Sequence, residues 1–364
     1  MDRMWSILQK HWYALFVLAL LLIIAVRSVF AGPSYMSLSP SEREQLDAAF
    51  LEELKSGPRD ASNMPAREIF EDYWSPLGPE RMLEHVETYN PNCHSEGHNA
   101  GRVIYDHTQN LGEAVGICST SCRGGCLHGV IAEMVNQEVR DDVGNHPELA
   151  AADIAGGLRA KIMNACTGED VTSITGMGNC YHGVGHAFFV LAGSDRQAAG
   201  PFCEILRAIG DGAYFYCLTG VAMEFMDRYA DTSIDPCSGG AHPFICYRYW
   251  IREKYDLRED EHQEARRFCM TLRGEGRKGC FHGIGFGSTA KLLRDSASIE
   301  TICRASVAAD RQACIEGAVE TMSLALKPDY TFCNHVKPQV VACEHPEQLS
   351  PANLVRDFSP YLGE

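Results

Sequence analysis

Cys180-Tyr181-His182-Gly183-Val184, continued by Gly185-His186, organises this chain, because its theme returns as Cys126-Leu127-His128-Gly129-Val130 and as Cys280-Phe281-His282-Gly283-Ile284. Degenerate copies keep the same frame. They are Cys217-Leu218-Thr219-Gly220-Val221, Cys314-Ile315-Glu316-Gly317-Ala318, and the weaker Cys246-Tyr247-Arg248 and Cys343-Glu344-His345. From Cys180 onward the leading cysteines are 37, 29, 34, 34 and 29 residues apart, which is the period of two-helix repeat units. The fold class this predicts is all-α: an α/α helical-hairpin repeat array, an open solenoid or a closed toroid.

Working outward, each leading cysteine has an upstream cysteine at a short and similar distance. Cys166 to Cys180 and Cys203 to Cys217 are 14 apart, Cys269 to Cys280 and Cys303 to Cys314 are 11, Cys237 to Cys246 is 9 and Cys333 to Cys343 is 10. The upstream member closes a helix-like stretch such as Glu261-His262-Gln263-Glu264-Ala265-Arg266-Arg267-Phe268-Cys269. A glycine-containing turn (Gly274, Gly276, Gly279) then leads to the next cysteine. Each pair is therefore expected to clasp a helical hairpin at its turn, with about 2–3 kcal/mol of loop-closure stabilisation per bridge. Zinc-type thiolate pairs stand two to four residues apart, so this spacing points to disulfides. Cys93, Cys118, Cys122 and Cys126 allow three connectivities, of which Cys93–Cys122 with Cys118–Cys126 is preferred.

Over residues 118–343 this cysteine spacing resembles that of disulfide-stapled Sel1-like and TPR-like repeat proteins. The resemblance implies one bridge joining the two helices of each unit. The Ala, Gly and Tyr positions of the Sel1-like pattern are not reproduced, and the Cys-x-His-Gly frame is not that family's. The Gly-bearing helix starts are also similar to those of lanthionine-cyclase-type (α/α) toroids, whose metal-binding Cys-His-Gly lacks the intervening residue found here.

The flanks set the compartment. Trp12 to Val26 carries no charge, follows Arg3 and Lys10, and continues past Arg27 to Val29-Phe30-Ala31. Residues 1–31 thus read as an export segment, either an uncleaved single-pass anchor or a cleavable signal peptide that would leave the chain secreted. Residues 32–40 read as a tether, 41–92 as an N-terminal helical cap, 93–345 as the repeat domain and 346–364 as a tail. Ser41-Glu42-Arg43-Glu44 is a possible capping box at the start of the cap. The bulk is expected to be periplasmic, extracellular or lumenal, where sixteen cysteines pair by default. No Asn-x-Ser/Thr site occurs. Outside residues 1–31 there are 29 basic residues against 47 acidic ones, a net −18, which excludes nucleic acid as a partner.

Candidate chemistry lies with histidine. His94-Ser95-Glu96-Gly97-His98 and His182-Gly183-Val184-Gly185-His186 share the form His-x-x-Gly-His, and on a helix each pair puts two imidazoles on one face. Those four are expected to ligate one transition-metal ion (Zn, Cu or Fe) if the array brings them together, with His128 as a fifth. The competing reading is structural. His128, His182 and His282 recur at one repeat position, where an imidazole in the first helical turn can hydrogen-bond a neighbouring repeat and the following Gly permits close packing. Glu133, Glu224, Glu316 and Glu320 lie one or two turns into the same helices, and Glu133 or Glu224 is the candidate general base. Haem-attachment, Walker, dinucleotide, Gly-x-Ser-x-Gly and His-Glu-x-x-His motifs are absent. Two functions remain: a membrane-tethered scaffold for an extracytoplasmic protein partner, or a metal-binding protein or enzyme.

Overall fold

The computed structural model describes residues 35–60, 65–90, 93–118, 121–145, 151–168, 176–229, 235–255, 257, 261–323, 329–336 and 343–344. The expected export segment and C-terminal tail lie outside these. The described residues are all-α, with no strand beyond an isolated bridge between Arg59 and Pro65. No helix among them is long and apolar enough to cross a membrane.

Three helices open the chain: α1 (Pro40–Ser56), α2 (Arg67–Leu77) and α3 (Pro79–Tyr89). The capping box of α1 is Ser39 with Glu42, not the expected Ser41 with Glu44. Pro40, with its preset φ and no N–H to leave unpaired, starts the helix two residues earlier. Residues 35–39, part of the expected tether, contact α1. The Tyr35 hydroxyl donates to Asp47 at 2.8 Å, and Arg43 donates to the carbonyls of Leu38 and Met36. Phe50, Leu54, Ile69, Phe70, Met82 and Val86 make a buried seam between the three helices.

From there, long helices pack serially: α4 (His94–Thr108), α6 (Gly125–Asn145), α8 (Gly176–Leu191), α10 (Asp211–Tyr229), α11 (Pro243–Lys254), α13 (Gly274–Gly287) and α16 (Ala308–Ser323), each against the next. Other helices stand between them: the 17-residue α7 (Ala151–Thr167) and the shorter α5 (Leu111–Cys118), α9 (Arg196–Cys203) and α12 (His262–Cys269), with α14 (Thr289–Arg294) and α15 (Ile299–Ile302) before α16. All sixteen cysteines are paired, as Cys93–Cys122, Cys118–Cys126, Cys166–Cys180, Cys203–Cys217, Cys237–Cys246, Cys269–Cys280, Cys303–Cys314 and Cys333–Cys343. Cys203 and Cys269 are the last residues of α9 and α12. Such a bridge joins the end of a short helix to the body of the long one that follows. Seven bridges close separations of 8 to 14 residues and Cys93–Cys122 one of 29, which removes unfolded-chain entropy.

The long helices start earlier than the cysteine frame suggested. Gly276 and Gly279 are helical rather than in a turn, and only Gly274, with φ of +54°, has the backbone of one. The reason is packing. Gly279 lies against the Phe244 backbone and Gly276 against the Tyr247 ring, so both are needed inside the helix contact.

The same glycine device sets the register of successive helix pairs. A Cβ on Gly129 would overlap the His98 carbonyl oxygen, one on Gly220 that of His182, and one on Gly317 that of His282. Reciprocally, Gly101 faces the Cys126 carbonyl, Gly185 that of Cys217, and Gly285 that of Cys314. Only a hydrogen fits at each point, so Cα–H groups meet carbonyls and the backbones approach more closely than side chains would allow. This shared register makes His98 the counterpart of His182 and His282. Helix α4 is thus a copy of the theme with Glu96 where the leading cysteine stands. The two His-x-x-Gly-His pairs are therefore one helical turn out of step.

Candidate metal centre

Helices α4, α6, α8 and α10 converge because their contact faces are glycine, and five histidines meet between them. One nitrogen from each of His94, His98, His128 and His186 lies within 4.8 Å of all the others. Ring centroids are 4.9 Å apart for His94 and His98, 5.0 Å for His94 and His128, 4.5 Å for His98 and His186, and 5.2 Å for His128 and His186. His182 stands at the edge of the group, 4.7 Å from both His128 and His186. His94 is half-buried and the other four histidines are buried.

The expected foursome of His94, His98, His182 and His186 is thus brought together, but with His128 in the inner set and His182 at its flank. The one-turn offset between α4 and α8 is the cause. His128, which the repeat pattern offered equally as a packing residue, lies between the two pairs.

Glu224, from α10, is the carboxylate of the site. Its Oε1 is 3.0 Å from His186 Nδ1 and 3.4 Å from His98 Nδ1. An ionised carboxylate only accepts, so both imidazoles donate through Nδ1 and carry a bare lone pair on Nε2. Both Nε2 atoms are buried without a hydrogen-bond partner, as is His128 Nε2. An orphaned buried acceptor costs about 1–3 kcal/mol, and a cation is the natural complement. A carboxylate that fixes the tautomer of a ligating imidazole is the usual outer shell of a metal centre. His94 Nε2 and His128 Nδ1 are 3.3 Å apart.

Electrostatics keep His128, His182 and His186 in the ligating form. Burial, then the neighbouring imidazoles, push His128 and His182 well below the ordinary histidine range, and burial followed by His98 brings His186 down to about 4. Neutral imidazole is the species that binds a metal. Burial alone would raise the Glu224 carboxyl. The hydrogen bonds from His186 and His98 outweigh it and hold the group well below the usual carboxylate range.

The other candidates lie elsewhere. Glu133, the alternative general base, is buried against the Arg67 guanidinium at 3.5 Å. His282 Nε2 meets Glu320 Oε2 at 3.2 Å, and Arg248 donates from Nη2 to Glu320 Oε1 at 2.7 Å. Arg248 and His282 stand two residues after their cysteines and Glu320 six after its own, the positions that His128, His182 and His186 occupy in the first half. A fixed guanidinium, 4.2 Å above the Phe286 ring, thus supplies the positive charge in the second half. His128 lies in the first helical turn as expected, but His182 and His282 do not, because α8 and α13 begin about two turns ahead of them. Sequence reasoning overlooked Thr219 and Met223. They sit at the same two repeat positions of α10, and that frame was the signal that identifies them. Comparison with protein-family models, curated proteins and solved structures returns no match to this chain.

Proposed function

We propose that this chain is an exported helical repeat protein that binds a transition-metal ion, Zn, Cu or Fe, through His94, His98, His128 and His186. Glu224 holds two of the ligands in register. The observation that carries the reading is the shared carboxylate: two buried imidazoles donate to one Glu224 oxygen and leave two bare nitrogens with no protein partner. Five imidazoles and one carboxylate suit a dication. Because Glu224 is engaged by two donors, the centre reads as a binding site before it reads as a general-base catalyst. Eight local disulfides suit an oxidising, extracytoplasmic compartment. In this reading residues 1–31 supply the membrane anchor or signal, and the serially packed helices form a repeat stack, solenoid or toroid.

A second reading is a rigid scaffold whose surface meets an extracytoplasmic protein partner. Serial packing and local staples support it without any metal. Elemental analysis of tag-free protein separates the two. Stoichiometric metal that is lost in a folded His98→Ala/His186→Ala variant supports the metal centre. A folded wild type that cannot be loaded leaves the scaffold alone.

A further inference from the structure

Beside the four inner histidines, both ring nitrogens of His182 are met by one turn of α10. Nδ1 lies 2.7 Å from Thr219 Oγ1, and Nε2 lies 3.4 Å from Met223 Sδ. The proton positions follow from counting. Thr219 has one hydroxyl proton, and its Oγ1 is 2.6 Å from the Tyr216 carbonyl oxygen, which can only accept. We assign that proton to Tyr216, the shorter of the two contacts. The 2.7 Å contact to His182 then needs a proton of its own, which only Nδ1–H can supply. A neutral His182 so arranged has a bare lone pair on Nε2, directed at a thioether sulfur that is also only an acceptor. Two electron-pair donors thus face each other in the interior, with His182 6% and Met223 8% exposed. With bonds of ~2.0 Å to nitrogen and ~2.3 Å to sulfur, a cation spanning the 3.4 Å gap would bind at an angle of about 105°, near the tetrahedral value.

We propose that His182 Nε2 and Met223 Sδ form a thioether–imidazole subsite for Cu(I) beside the imidazole centre, so that copper is the metal this protein handles. The proposal rests on reading the histidine cluster as a metal centre. Thioether sulfur is a soft ligand that Zn(II) and Fe(II) rarely take and Cu(I) accepts readily. Thr219 is a positioning residue: it stands where other copies of the repeat place histidine, and its hydroxyl fixes the His182 tautomer. Every cysteine is consumed in a disulfide, so any sulfur bound to copper in the intact protein must be a methionine's.

The test uses tag-free, disulfide-intact protein, titrated anaerobically with Cu(I), and separately with Ag(I) as its redox-inert analogue and with Zn(II). The wild type is expected to show a copper–sulfur distance of ~2.3 Å by X-ray absorption. In Met223→Leu that distance should disappear and Ag(I) affinity fall at least about tenfold, while Zn(II) stoichiometry is unchanged. Thr219→Ala should weaken Ag(I) binding, Thr219→Ser should restore it, and nitrogen NMR of the metal-free protein should find His182 protonated on Nδ1. Zn(II) bound by a protein that shows no copper–sulfur contact, or a His182 protonated on Nε2, overturns the subsite and leaves the imidazole centre standing. Binding of none of the three ions overturns both.

Discussion

Replacing Glu224 by Gln tests whether the carboxylate serves the histidine cluster or merely fills the core. The side chain keeps its shape and an oxygen able to accept from His98 and His186, whose Nδ1 atoms lie 3.4 and 3.0 Å from Oε1. What disappears is one negative charge beside His186, which burial keeps neutral, so a bound dication loses that counter-charge. Loss of a carboxylate behind a metal-ligating histidine lowers affinity about 10- to 100-fold, equivalent to ~1.4–2.8 kcal/mol. Glu224→Gln should therefore weaken Zn(II) binding by that factor, measured by competition with a chromophoric chelator at pH 7.5. Glu133→Gln, which alters a buried carboxylate paired with Arg67, should change affinity less than about twofold. Equal losses in the two variants, or none in Glu224→Gln, would refute the assignment of Glu224 as the tautomer-fixing partner.

Three further outcomes follow from the geometry. Gly129→Ala and Gly220→Ala force a methyl group onto the His98 and His182 carbonyls; each should lower stability by about 1–3 kcal/mol and weaken metal binding. Gly116→Ala, on a helix with open space beside it, should leave stability unchanged or raise it by ~0.5–1 kcal/mol in guanidinium melts with the disulfides intact. The metal-free protein should lose stability as pH falls from ~6.5 toward 4, since His128, His182, His186 and His282 have depressed folded values. The unfolded chain takes up protons there that the folded chain refuses, at up to ~1.4 kcal/mol per pH unit for each histidine. Glu224 and Glu320, depressed carboxyls, cost stability only below ~4.5, so a flat denaturation midpoint between pH 7.5 and 5.5 would contradict the histidine reading. Arg248→Met leaves the part-buried Glu320 carboxylate with His282 as its remaining partner and should cost about 3 kcal/mol, whereas Arg248→Met/Glu320→Leu should recover most of it, read from the same melts.

Much of the architecture was legible without coordinates. The helical class follows from the repeat period, and the paired cysteines bracket each hairpin at loop lengths that make local closure the cheapest connection. Six of the pairings present are those the spacing led us to expect, and among the three connectivities open to Cys93, Cys118, Cys122 and Cys126 the one present is the preferred one. Both are properties of distance along the chain, which a linear sequence records faithfully. Residue type likewise pointed to His94, His98, His128, His182 and His186, because imidazoles at i and i+4 share a helix face in any structure.

Tertiary packing alone decided how those histidines divide. Two copies of His-x-x-Gly-His look equivalent in print, yet the glycine contacts at Gly101, Gly129, Gly185 and Gly220 shift α4 by one turn against the frame of α8. That shift seats His128 with His94, His98 and His186 and leaves His182 facing Thr219 and Met223. It likewise separates Glu133 from Glu224, two acids seven residues after their cysteines, one meeting Arg67 and the other His98 and His186. Sequence specifies which side chains each helix carries, but a lone pair finds its partner only across a helix interface. The register of that interface is set by which backbone carbonyls find a glycine opposite them.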